Sequence, residues 1–90
     1  MKEIFDAAIK KHGINGKLAK LREESIELAL AVERYLACRD KSPENLFEEI
    51  ADVKNVIAQI ELFSQDFTNK INTYQIKKAQ KLKKILDDPS

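Results

Sequence analysis

Five acidic residues stand in two short clusters whose spacing suits the binding of a metal ion. The first cluster is Glu23, Glu24 and Glu27, and the second is Glu49 and Asp52. Each cluster contains two acids spaced i, i+3, which places both carboxylates on one face of a helix. At about 100° per residue, Glu24 and Glu49 point into arcs that are otherwise apolar. Several carboxylates buried together repel one another, so a positive group is needed to neutralise them.

A hard divalent cation is the first candidate for that positive group. Mg²⁺ takes oxygen ligands in octahedral geometry, and its usual sites combine carboxylates with substrate phosphates. We therefore expect a Mg²⁺ site, with Mn²⁺ as a substitute. The alternative is a solvated acidic margin with surface salt bridges to Lys20, Arg22 or Lys54.

The composition excludes several other kinds of site. Cys38 is the only cysteine and His12 the only histidine, so a disulfide, a cysteine cage and a Ser-His-Asp triad are poorly supported. A di-iron bundle needs Glu-x-x-His motifs, which are absent. The 16 basic and 15 acidic residues nearly balance, so the overall charge does not favour a polyanion and we expect no nucleic-acid partner. The first residues lack the apolar core of a signal peptide and no stretch could span a membrane, so we expect a soluble, cytoplasmic protein.

The elements that position the acids are predicted to be helices throughout, because Gly and Pro are scarce and Leu, Ile, Ala, Lys and Glu dominate. We predict one all-α domain over residues 1–90, a bundle of about four helices. Helices are expected at about 2–11 and 17–37, separated by a turn at 13–16. A third should run from an N-cap at Ser42 to about residue 63. The fourth should begin after a cap at Ser64 or Asp66 and end near residue 86, leaving 87–90 as a frayed tail.

Both central helices carry apolar residues on a second side, away from the main seam. These are Ile26 and Leu30 on one helix and Phe47, Ala51 and Leu62 on the other. A helix that is apolar on two sides must be covered on two sides. Four short helices cannot easily do this within one chain, so we predict a homodimer or a dimer of dimers.

The acids also match a known pattern. Glu23-Glu24-Ser25-Ile26-Glu27 followed by Glu49-Ile50-Ala51-Asp52 fits E-E-x-x-E and then E-x-x-D. This resembles the MazG-like all-α nucleoside triphosphate pyrophosphohydrolases, relatives of dimeric dUTPases and phosphoribosyl-ATP pyrophosphohydrolase. The resemblance extends from about Leu18 to Leu86.

The resemblance implies an activity and roles for the acids. Glu24, Glu27, Glu49 and Asp52 would be Mg²⁺ ligands, and Glu23 would support them or orient the attacking water. The implied reaction is the hydrolysis of a nucleoside or deoxynucleoside triphosphate to monophosphate and pyrophosphate, in the housecleaning of nucleotide pools. Attack at the α-phosphorus is chemistry that metal ions assist.

Substrate-binding candidates are fewer. Lys78 projects into the apolar arc of the last helix and could neutralise the outer phosphates, as could Lys20, one turn before Glu24. A solvated basic face and an i, i+4 salt bridge are the respective alternatives. Tyr74 could stack on a base and Asn55 could hydrogen-bond a base or sugar, although core or surface roles are the default for both.

A different class of function stays open. The chain could be a non-catalytic helical module for oligomerisation or partner binding, whose acids no longer serve catalysis. The complete set of acids argues against that reading. Thermal stabilisation by Mg²⁺ would discriminate between the two.

Overall fold

The protein is all-helical. The computed structural model describes residues 1–88 and contains, over that range, three helices and no strand: α1 Lys2–Leu36, α2 Glu44–Glu61 and α3 Gln65–Asp87. Asp87, expected to fray, is the last helical residue, while Pro89 and Ser90 of the predicted tail lie outside the described residues.

The first two predicted helices are joined into one. Only Gly13 departs from helical geometry, with φ 71° and ψ 170°, and the helix resumes immediately. Glycine adopts this positive φ without steric cost. The predicted turn at residues 13–16 is therefore a one-residue kink, and about four helices become three with a kink in the first.

α1 and α2 pack antiparallel and form the body of the molecule. Leu18 and Leu21 follow the kink of α1, and they share a groove with Ile57 and Ile60 near the end of α2. The buried apolar side chains among residues 1–88 are few, as expected for a chain this small. They are Ile9, Ala31, Val56 and Ile60.

The link between α1 and α2 is ordered by backbone hydrogen bonds. Cys38 N–H donates to Tyr35 O at 3.1 Å and Arg39 N–H donates to Arg34 O at 3.0 Å, which is the Schellman pattern of a helix C-terminus. Cys38 itself has φ 58°, a conformation usually taken by glycine. α2 then begins with Pro43 as its N-cap, so the predicted cap at Ser42 is one residue too early.

α3 is attached at its first turns and then extends away from the body. Ser64, one of the two predicted caps, is the N-cap and accepts a hydrogen bond from Phe67 N–H at 3.1 Å. Thr68 Oγ1 donates to Glu61 O at 2.6 Å, and Phe63 meets Phe67 edge-on at 5.0 Å. Every residue from 72 to 88 is exposed. Most of α3 therefore has no intrachain support.

The second apolar sides of the central helices are covered only in part. The N-terminal part of α1 places Phe5 in a shared groove with Ala58 and Leu62 of α2. Ile26, Leu30 and Phe47 remain 58%, 55% and 54% exposed. Within residues 1–88, no helix has the length and hydropathy of a membrane span.

Candidate metal centre

Three of the predicted ligands converge between α1 and α2. Carboxylate oxygens of Glu24, Glu49 and Asp52 all lie within 4.8 Å of one another. Glu24 is buried on α1, Glu49 is half-buried on α2, and Asp52, one turn further, is exposed. The i, i+3 spacing of Glu49 and Asp52 turns both toward α1, and the antiparallel packing brings Glu24 opposite them. The cluster thus opens from the helix interface toward solvent.

Two oxygens of this cluster have no hydrogen-bond partner. Glu24 is only 6% exposed, and its Oε2 is buried and unpartnered. Glu49 Oε2 is also buried and has no hydrogen-bond partner. Buried carboxylate oxygens without partners are costly, because the lost hydration is not replaced. Converging hard oxygen donors of this kind fit a Mg²⁺ or Mn²⁺ ion.

Lys20 is the only cation among residues 1–88 that pairs with these acids. Its Nζ lies 3.0 Å from Glu24 Oε1 and 3.8 Å from Glu23 Oε2. The hydrogen bond to Glu24, with the charge of Glu23, raises the pKa of Lys20. Arg22 and Lys54, the other partners considered from the sequence, form no ion pair with the cluster in the described part of the chain. One half-exposed lysine cannot balance three converging carboxylates.

Glu27 stands at the edge of the cluster. It is exposed and is not among the three acids whose oxygens converge. The charge of Glu24 is the main cause that raises the pKa of Glu27, followed by loss of hydration and the charge of Glu49. Acids on both helices, Glu24 on α1 and Glu49 on α2, therefore contribute to the raised pKa of Glu27. Its predicted role as a ligand stays a prediction.

The pKa of Glu49 is raised as well. Burial is the largest cause, and the charges of Asp52, Glu24 and Glu48 add to it. A cation would reverse the effect of these neighbouring charges, because an opposite charge favours the ionised carboxylate.

The remaining predicted residues lie at different distances from this centre. Glu23 is exposed beside Lys20, and Asn55 is exposed on α2 one turn after Asp52. Lys78 and Tyr74 lie on the unsupported part of α3, and no contact in the described residues joins either to the cluster. Tyr74 instead lies under Lys77, with Nζ 5.5 Å from the ring centroid. Their substrate-binding roles stay predictions.

The sequence reading missed Gln59. Its side chain is 9% exposed and its Oε1 is buried without a hydrogen-bond partner. Gln59 follows Asp52 by seven residues, which returns it to the same face of α2. The seven-residue spacing was the signal in the sequence, because it places a second polar residue on the face of α2 that carries Asp52. This face continues toward the kinked part of α1.

The arrangement can hold a hard cation at the α1–α2 interface, with a lysine at one side and solvent at the other. No protein-family model, curated protein or solved structure matches this chain.

Proposed function

We propose that the protein is a Mg²⁺-dependent nucleoside triphosphate pyrophosphohydrolase. The supporting observation is the convergence of Glu24, Glu49 and Asp52, with buried oxygens of two of them left unpartnered. The second support is the resemblance of both acidic motifs to the MazG-like enzymes. The housecleaning role is part of the same proposal, as is the cytoplasmic location.

The residues that would hold the ion are Glu24, Glu49 and Asp52, with Glu27 at the margin. When bound, Mg²⁺ supplies charge neutralisation for the phosphates, alignment of the reacting groups and a lowered pKa for water. Lys20 holds Glu24 in place through its 3.0 Å contact, and its Nζ, being half-exposed, can also meet a phosphate oxygen.

Glu27 and Glu23 border the cluster on the exposed side and are candidates for positioning water. A carboxylate with a raised pKa, as in Glu27, is a stronger base than an ordinary one. In the proposed reaction, the water oxygen bonds to the α-phosphorus and the bond from the α-phosphorus to the bridging oxygen breaks. Pyrophosphate leaves, and the water proton passes to the carboxylate and then to solvent.

Self-association belongs to the proposal too. The exposed apolar residues Ile26, Leu30 and Phe47 are those whose second-side position predicted a dimer. On α3, Leu82 and Ile85 are exposed as well. Exposed large apolar side chains on all three helices favour self-association, so we propose a homodimer or dimer of dimers. The alternative function, a non-catalytic oligomerisation module, also predicts self-association.

The test is a panel of ordinary and modified nucleoside triphosphates incubated with Mg²⁺, with product identification. Monophosphate and intact pyrophosphate are expected from the wild type, and far less of both from Asp52→Ala. Glu33→Ala removes an exposed acid elsewhere on α1 and serves as the matched control, with activity retained. Release of orthophosphate as the first product would contradict the assignment. No turnover across the panel would favour the non-catalytic module.

A further inference from the structure

A basic pocket adjoins the acidic cluster at the kink of α1. It is an open pocket of about 370 Å³, lined by His12, Gly16, Lys17 and Lys20. These residues lie on either side of Gly13, so the pocket spans the break in the helix. No acidic side chain is among the lining residues.

Lys20 forms the boundary between the pocket and the cluster. It lines the pocket, and its Nζ contacts Glu24 Oε1 at 3.0 Å. Lys17 is half-buried and makes no ion pair in residues 1–88, so its charge is available to a ligand. An acidic site that can hold a cation is therefore continuous with a basic site that can hold an anion.

Gly16 keeps the pocket open. A Cβ added there would come 3.4 Å from the Cβ of His12, so we expect a longer side chain to project into the pocket that both residues line. Gly16 does not have a positive φ, so its backbone does not require glycine. We therefore attribute the glycine at this position to the space of the pocket and not to the backbone conformation.

We propose that this pocket binds the terminal two phosphates of the triphosphate while the α-phosphate lies at the acidic cluster. The inference rests on the proposed function and assigns the substrate's outer phosphates to Lys17 and Lys20. The reason is charge: a triphosphate carries more negative charge than one divalent ion held by carboxylates can neutralise. Lysines serve as point charges for phosphate oxygens. The leaving pyrophosphate would occupy the same pocket.

Binding of inorganic pyrophosphate to the full chain in EDTA tests the proposal without any need for turnover. Calorimetry should show that Lys17→Met weakens binding at least 10-fold. Gly16→Leu should do the same by filling the pocket, while a helix-favouring residue keeps α1 folded. Lys54→Met, at an exposed site on α2, is the control and should leave the affinity unchanged. Circular dichroism establishes that each variant is folded.

The outcomes separate this inference from the proposed function. Glu49→Ala should strongly slow hydrolysis but keep metal-free pyrophosphate binding, because the pocket does not include Glu49. Equal affinity in wild type, Lys17→Met and Gly16→Leu, or no binding at millimolar pyrophosphate, would overturn the inference even if hydrolysis is found. Loss of binding in Lys78→Met instead would assign the outer phosphates to α3 and would overturn it too.

Discussion

Lys20 Nζ lies 3.0 Å from Glu24 Oε1, whereas Glu24 Oε2, on the same buried carboxylate, has no partner. The most buried acid of the chain is thus satisfied on one side only. The carboxylate of Glu24 also belongs to the cluster with Glu49 and Asp52. This half-satisfied carboxylate connects the acidic site that could hold an ion with the basic pocket beside it.

Mg²⁺ should stabilise the fold. Converging carboxylates repel one another when no cation is present, and an ion that binds only the folded state stabilises it by mass action, about 2.7 kcal/mol at 100 times its Kd. The melting temperature should rise with Mg²⁺ and fall back with EDTA. Asp52→Ala should lose most of that rise, while Glu33→Ala should keep it. Identical melting curves with Mg²⁺ and with EDTA would contradict the site.

The stability of the metal-free protein should depend on pH through Glu49. Its pKa is raised above the ordinary 4.5, so the folded state holds this proton more tightly than the unfolded state. The contribution is full below pH 4.5 and is lost as the pH rises through the raised pKa. Glu49→Gln should therefore increase the metal-free melting temperature at pH 7 and flatten its decline above pH 4.5. A series of melts in EDTA measures this, and an unchanged profile would oppose it.

The chemistry should place solvent oxygen on the monophosphate. Attack at the α-phosphorus in ¹⁸O-labelled water transfers the label to that product and leaves pyrophosphate unlabelled, which mass spectrometry detects. Glu24→Ala, Glu27→Ala, Glu49→Ala or Asp52→Ala should lower kcat by roughly 10² or more, since preorganised charge stabilisation is lost. Label in the pyrophosphate would show attack at a different phosphorus.

Association should depend on the exposed second side of α1. Leu30, 55% exposed in one copy, becomes buried in the proposed interface, and Leu30→Glu would place a charge there. Light scattering should show a homo-oligomer for the wild type and a monomer or unfolded chain for the variant. Lys41→Glu introduces the same side chain in the exposed link and should preserve the assembly. A wild-type monomer at micromolar concentration would refute the prediction.

Cys38→Gly should stabilise the protein. Cys38 occupies the left-handed position of the α1 C-terminal motif at φ 58°, which costs a non-glycine residue about 1 kcal/mol. Its side chain is exposed, so little packing is lost. Urea denaturation should show a higher midpoint with the slope unchanged. A lower midpoint would mean that the thiol makes a stabilising contact in the assembly.

Local sequence determined the helical class, the Ser64 cap of α3 and the pairing of acids on helix faces, because these depend on interactions within a few residues. The one-residue form of the break at Gly13 was not predicted, because a glycine signals a turn equally well whether or not the helix resumes.

Tertiary packing decided which acids converge. Periodicity places Glu24 and Glu27 on one face, but only the antiparallel approach of α2 brings Glu24, and not Glu27, within 4.8 Å of Glu49 and Asp52. It also left Lys78 on a part of α3 that no other helix supports. Sequence spacing sets the direction of a side chain from its own helix. Its distance to another helix depends on how the helices pack, which no single segment encodes.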